Sequence, residues 1–147
     1  MKNAAKREVH MKTAVRYYSR SGNTEKIADA IAKEAEVRPE TVGTDLTEPV
    51  ELLFLGSSLY KFTYEPSVGA FLKRNADRIG KVALFGTSAS GKSTYPKLKP
   101  LLDALQIPLC EVEFVCLGKF LFANKGRPNE ADVAAAAAFA KSVLKQP

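Results

Sequence analysis

From Thr13 onward, short apolar runs alternate with amphipathic stretches, the pattern of strands feeding crossover helices onto a parallel sheet. Residues 13–18 read as a first strand and 19–24 as a turn of small polar residues. A helix over 25–36 follows, with Ile27, Ile31 and Ala35 on one face and charges opposite. A second strand is expected near 40–44. Residues 50–55 are nearly all apolar and end at Gly56, as suits a strand buried on both faces. Pro66 opens a helix that runs through Phe71 and Leu72 to about Ala76. The remaining elements are a strand over 82–85, a loop over 86–94, a helix over 97–105, a strand over 109–117 and a last helix capped by Asn129. Glu130 and Asp132 in the first turn of that helix, and Lys141 and Lys145 in its last, complement its dipole.

One connection breaks the pattern. Only residues 45–49 separate the second strand from the third, whereas a parallel crossover takes about a dozen. Either the second strand is very short or the connecting helix is lost.

The chain has 147 residues, a length that favours one domain. Residues 1–12 hold Lys2, Lys6, Arg7 and Lys12 against Glu8, half of the net charge of +6, and read as a basic flexible arm before a single domain over 13–147. No basic patch interleaved with aromatics points to nucleic acid. No run reaches the roughly 18 apolar residues of a membrane span, so a soluble cytoplasmic protein is expected. The sole histidine, His10, lies outside the patterned region, which removes a histidine-based nucleophile or a histidine-ligated zinc site. Cys110 and Cys116 share one strand face about 20 Å apart, at about 3.3 Å per residue, beyond disulfide reach. They read as small core residues.

In an open parallel sheet, ligands bind outside the carboxyl ends of the strands. The loop after the first strand is Ser19-Arg20-Ser21-Gly22-Asn23-Thr24, three hydroxyls, an amide and a glycine at a helix start. Unpaired N–H groups and the dipole there suit a phosphate; an ordinary N-cap with extra polar residues has the same composition.

Ser19, Ser21, Gly22 and Thr24 match the phosphate loop of flavodoxins, and the chain resembles that family from about Thr13 to the final helix. The stretch from Asn124 to Glu130 is similar to a subset of the same family. The resemblance implies a flavodoxin-like α/β/α sandwich with a five-stranded parallel sheet in the order 2-1-3-4-5, the second strand short or irregular. It also implies bound FMN, with the phosphate on Ser19, Ser21 and Thr24 and on the N–H groups of Arg20, Gly22 and Asn23. The flavin ring would lie between Ser57, Ser58, Leu59, Tyr60, Lys61 and Phe62 on one side and Thr87, Ser88 and Ala89 on the other. Tyr60 would cover one face, and Gly91 would supply a bend.

The sequence departs from the family in two places. Lys61 stands where many flavodoxins have a glycine, and residues 87–90 lack the aromatic that many relatives carry. Cations at Lys61 and Lys92 would favour an anionic reduced flavin, so a potential less negative than that of acidic flavodoxins is expected. The implied role is electron carriage between a flavin reductase and an electron-accepting redox protein, by a monomer or weak dimer. An FMN-dependent NAD(P)H:quinone oxidoreductase is the alternative.

Residues 86–93 also match the Walker A pattern, which alone would suggest a nucleotide triphosphatase. Two or three strands precede the match, about 53 residues follow it, and no later strand ends in a magnesium-binding aspartate.

Overall fold

The computed structural model describes residues 11–59 and 63–146. These form five parallel strands: β1 (Thr13–Tyr17), β2 (Pro39–Thr41), β3 (Leu52–Ser58), β4 (Val82–Ser88) and β5 (Phe114–Leu117). Their order is β2-β1-β3-β4-β5, the order expected. Four helices flank the sheet: α1 (Asn23–Ala35), α2 (Pro66–Asn75), α3 (Tyr95–Ala104) and α4 (Glu130–Leu144). None is long and apolar enough to cross a membrane.

The strand period of two divides the core. Ala14, Leu53, Leu55 and Leu84 face α2 and α3 with Val68, Phe71, Leu72, Leu98 and Leu102. Val15, Tyr17, Leu52, Phe54 and Phe85 face α1 and α4 with Ile27, Ala28, Ile31, Ala136 and Ala140. Small buried residues on both α1 and α4 let the helices pack closely, and Phe139 sets its ring edge-on to Phe54 at 6.1 Å. Cys110 and Cys116 are buried and free, as expected.

The awkward connection resolves both ways at once: β2 has three residues, and no helix joins it to β3. Val42, Leu46 and Val50 fill the face that a crossover helix would cover. Arg16, 8% exposed, projects from β1 onto the same face. It donates from Nε to the Thr44 carbonyl at 2.8 Å and from Nη2 to the Asp45 carbonyl at 3.3 Å. Burial lowers its pKa from the ordinary value, while Glu40 and Asp45 pull it back up. Asn75 pins the same segment, accepting from Leu46 N at 3.0 Å and donating to Asp45 Oδ1 at 3.1 Å. An open hollow of about 180 Å³ remains beside Arg16, Arg38, Glu40 and Glu48.

Four boundaries correct the sequence reading. β3 runs on to Ser58 and β4 to Ser88, so Gly56 and Gly86 are strand residues rather than loop starts. Pairing continues through Gly56↔Phe85, Ser57↔Gly86 and Ser58↔Thr87 because small residues let the strands close up. The last strand starts at Phe114 rather than Leu109; before it, only Leu109 bridges to Val82, and Glu113 turns aside to accept a hydrogen bond from Ser93 Oγ. Helix α1 starts two residues early, which moves Asn23 and Thr24 into its first turn.

Candidate functional site

The carboxyl ends of β1, β3, β4 and β5 lie along one edge of the sheet, and their loops meet there. After β1, the chain turns into α1 through Gly22, whose φ of +92° is left-handed and costs a glycine little. Ser19 Oγ accepts from Gly22 N at 2.9 Å and fixes the turn. Gly22 is the N-cap and has no side chain to cap with, so the first-turn N–H groups of Asn23, Thr24 and Glu25 get no capping acceptor from it. Arg20 and Ser21 are exposed at the crown of the loop.

Thr24 points inward. Its fully buried hydroxyl lies 2.9 Å from Thr87 Oγ1 and 3.1 Å from Ser58 Oγ, and the latter two are 3.1 Å apart. This triangle of hydroxyls joins α1 to the ends of β3 and β4. Three segments far apart in sequence build it, so only the strand order brings it together. Ser57 Oγ, buried on the opposite sheet face, has no hydrogen-bond partner.

The loop after β4 leaves the sheet at Ala89 and bends at Gly91, φ +77°. Ser88 Oγ donates to the Lys92 carbonyl at 2.9 Å, while Ala89, Ser90 and Lys92 are exposed. This geometry does not suit a triphosphate loop. The start of the Walker-like pattern is strand, helix α3 begins only at Tyr95, and Ser93 Oγ is engaged by Glu113 and by Tyr95 N.

The loop after β5 also belongs to this edge; in the sequence its 124–130 stretch carries only a family likeness and no site role. Asn23 Nδ2 donates to the Lys119 carbonyl at 3.0 Å, and Asn124 Nδ2 donates to the Ala89 carbonyl at 2.9 Å. Gly118 is the legible sign: a Cβ there would press on Asn23 Nδ2 at 2.9 Å and Thr87 Cβ at 3.2 Å. Leu59 is half-buried at the end of β3, and the expected contacts of Tyr60, Lys61 and Phe62 fall outside the described residues.

No protein-family model matches the chain. An uncharacterized protein of Methanocaldococcus jannaschii, MJ0298, is 32% identical over 92% of this chain and 99% of its own length. A flavodoxin from the domain Archaea superposes with a TM-score of 0.73 at 19% identity, covering 92% of this chain and 97% of that one. Flavodoxin 1 of Bacillus cereus gives 0.71 at 19% identity, covering 92% and 99%. The chain belongs to one family with the Methanocaldococcus jannaschii protein, and its fold is that of the flavodoxins.

In this flavodoxin-like fold the edge is braced from behind by the start of α4. Asp132, 8% exposed, accepts from Arg127 Nε at 2.6 Å and Nη2 at 2.8 Å, and from Asn129 N at 2.8 Å. Asn129 Oδ1 accepts from Asp132 N in return at 2.9 Å, which closes a capping box. The hydrogen bond from Arg127 is the main reason the Asp132 carboxyl titrates below the usual range. Burial, aided by the charge of Asp132, pushes the Cys116 thiol up to about 11. Burial raises the Cys110 thiol too, so both cysteines stay protonated near neutral pH.

Proposed function

We propose that this protein is an electron carrier that holds FMN at the ends of β1, β3 and β4. The observation that carries the reading is the Gly22 turn: a left-handed N-cap without a side-chain acceptor, which leaves the first-turn N–H groups of α1 for an anion. Ser19 and Ser21, with the N–H groups of Arg20 and Asn23, would bind the phosphate, while the Gly22 N–H holds the turn through Ser19 Oγ. Thr24 is a brace, because its hydroxyl is spent on Ser58 and Thr87. Ser57, Ser58 and Leu59 with Tyr60, Lys61 and Phe62 would form one wall for the ring, and Thr87, Ser88 and Ala89 the other, with Gly91 turning the second wall.

Bound there, FMN supplies the one- and two-electron chemistry, and the chain supplies binding, orientation and charge. Electrons would come from a flavin reductase and pass to an electron-accepting redox protein. Titrating the protein into FMN should quench flavin fluorescence with a Kd of about 1 µM or tighter. ATP with magnesium should not compete. Full flavin fluorescence at saturating protein would overturn the reading.

Replacing Thr24 with valine keeps its shape and removes one corner of the hydroxyl triangle. FMN binding should weaken about tenfold, the effect of one lost hydrogen bond of about 1.4 kcal/mol. Ser58 and Thr87 still satisfy one another, so the fold survives. Unchanged affinity in the same fluorescence titration would show that the triangle does not support the phosphate turn.

A second reading draws on Ala89 and Ser90, which are small and exposed where an aromatic would cover the ring. An uncovered face would admit a quinone, making the protein an NAD(P)H:quinone oxidoreductase. Sustained NAD(P)H consumption with a quinone and no added reductase would favour this reading over the carrier.

A further inference from the structure

The loop after β5 carries the largest apolar exposure among the described residues: Phe120, Leu121 and Phe122 are 55%, 72% and 89% exposed. The three sit on a two-residue hairpin closed by Phe120 N to the Ala123 carbonyl at 3.1 Å and Ala123 N to the Phe120 carbonyl at 2.9 Å. Leu121 occupies the first central position at φ +55°, where glycine is the unstrained choice. A leucine in left-handed backbone with its side chain in solvent adds nothing to the core. Such an outlier points to a role outside folding.

The hairpin is rigidly seated beside the candidate site. Lys119 N donates to the Arg127 carbonyl at 3.0 Å, and Asn124 Nδ2 reaches the Gly118 carbonyl at 3.1 Å as well as that of Ala89. Through Asn23 and the Lys119 carbonyl the base of the hairpin is tied to the turn after β1. A molecule seated on the tip would therefore lie over the edge where the strand ends converge.

Charge selects the occupant. Lys119 and Lys125 flank the tip and are exposed, and residues 114–129 include no Asp or Glu. Arg127 is neutralised by its paired bonds to Asp132. Lipid surfaces are held by clusters of about four to eight cations. Two exposed lysines around a preformed wedge suit a protein pocket better.

We propose that the 120–122 hairpin is the docking knob for an acidic electron-transfer protein, one with an apolar depression inside a rim of carboxylates. The class of partner rests on the carrier reading above; the surface and its charge preference do not. The apolar tip supplies contact area and the lysines supply orientation and salt-sensitive approach.

The test uses the substitution Leu121→Gly, which removes the knob while relieving its backbone, together with Phe122→Ser. A plant-type ferredoxin, an acidic iron–sulfur protein, is titrated into the isotope-labelled protein at low ionic strength and backbone amide resonances are followed. A saturable response centred on residues 119–125 is expected. The affinity should fall about tenfold in the double variant, and similarly for the wild type in high salt, with the melting temperature unchanged or raised. No saturable response, a response elsewhere on the surface, or equal affinity in the variant would overturn the proposal. Leu121-dependent sedimentation with phosphatidylglycerol vesicles would overturn it in favour of lipid. FMN binding is read separately by fluorescence, so a protein that docks ferredoxin through the hairpin without binding flavin sinks the carrier reading alone. One that binds flavin without docking sinks this proposal alone.

Discussion

Replacing Gly86 with alanine is expected to leave almost no folded protein. Gly86 lies opposite Ser57, one pair before the β3–β4 ladder ends, and pairs on its other side with Val115 of β5. A Cβ there would overlap the Ser57 carbonyl oxygen far inside any real contact distance. The obstacle is backbone in a strand buried on both faces, so neither rotamer change nor solvent can relieve it. Protein interiors at native density transmit such an overlap instead of absorbing it. The loss should exceed about 4 kcal/mol, within reach of the whole stability of a domain this size. Gly43→Ala is the matched control, since its Cβ would meet only Thr41 Oγ1 at 3.5 Å. It should lie within about 0.5 kcal/mol of the wild type. Urea unfolding followed by circular dichroism measures both. A Gly86→Ala protein within about 1 kcal/mol of the wild type would mean that β3 and β4 are spaced more widely than described.

Asp132→Ala should cost about 3 kcal/mol, combining the loss of a charge-assisted pair that shields a nearly buried carboxylate with the loss of the α4 capping box. That corresponds to a melting temperature lower by about 10 °C. The sign of the pH dependence follows from the lowered carboxyl. The native state holds Asp132 ionised to lower pH than the unfolded chain does, chiefly through the Arg127 hydrogen bond. Its stabilisation is therefore complete above the unfolded carboxyl value of about 4 and fades as pH falls through the native one. In Asp132→Asn, thermal stability should fall less steeply on acidification than in the wild type. The same substitution removes one cause of the raised Cys116 thiol and leaves Arg127 unopposed beside it. Thiolate titration should find Cys116 below its value of about 11, and an unmoved thiol would show that burial alone sets it.

These two sites also show what the sequence could and could not disclose. The Ser19–Thr24 turn was legible because its chemistry is local: six consecutive residues make both the bend and the polar crown. The strand ends were misread for a physical reason. Gly56 and Gly86 look like punctuation, yet each sits inside a strand where a side chain would collide with the neighbouring one. Glycine marks close approach as well as turning. The lost crossover helix could be counted, since five residues cannot span a parallel connection. Its replacement by a buried arginine could not, because Arg16 reaches Thr44 and Asp45 only once the chain has folded back. The hydroxyl triangle was invisible for the same cause. Thr24, Ser58 and Thr87 are ordinary polar residues until the strand order places them within 3.1 Å of one another.

Closing one flank of the sheet with a guanidinium in place of a helix also changes how the molecule comes apart. A helix layer melts with the core that it covers, whereas a three-residue marginal strand, held by its pairing to β1, by Arg16 and Asn75 and by the buried Val42 and Leu46, can open ahead of the inner strands. Residues 39–46 should thus form a separate exchange unit whose amides trade protons for deuterium while β3 and β4 stay protected. That unit borders β1 on the side away from β3, so its opening leaves the braced ends of β3 and β4 undisturbed. The exposed stretch 47–49 just beyond that unit is the natural place for the chain to accept inserted sequence, because whatever is added there loads the outer margin of the sheet and not the edge where its loops converge.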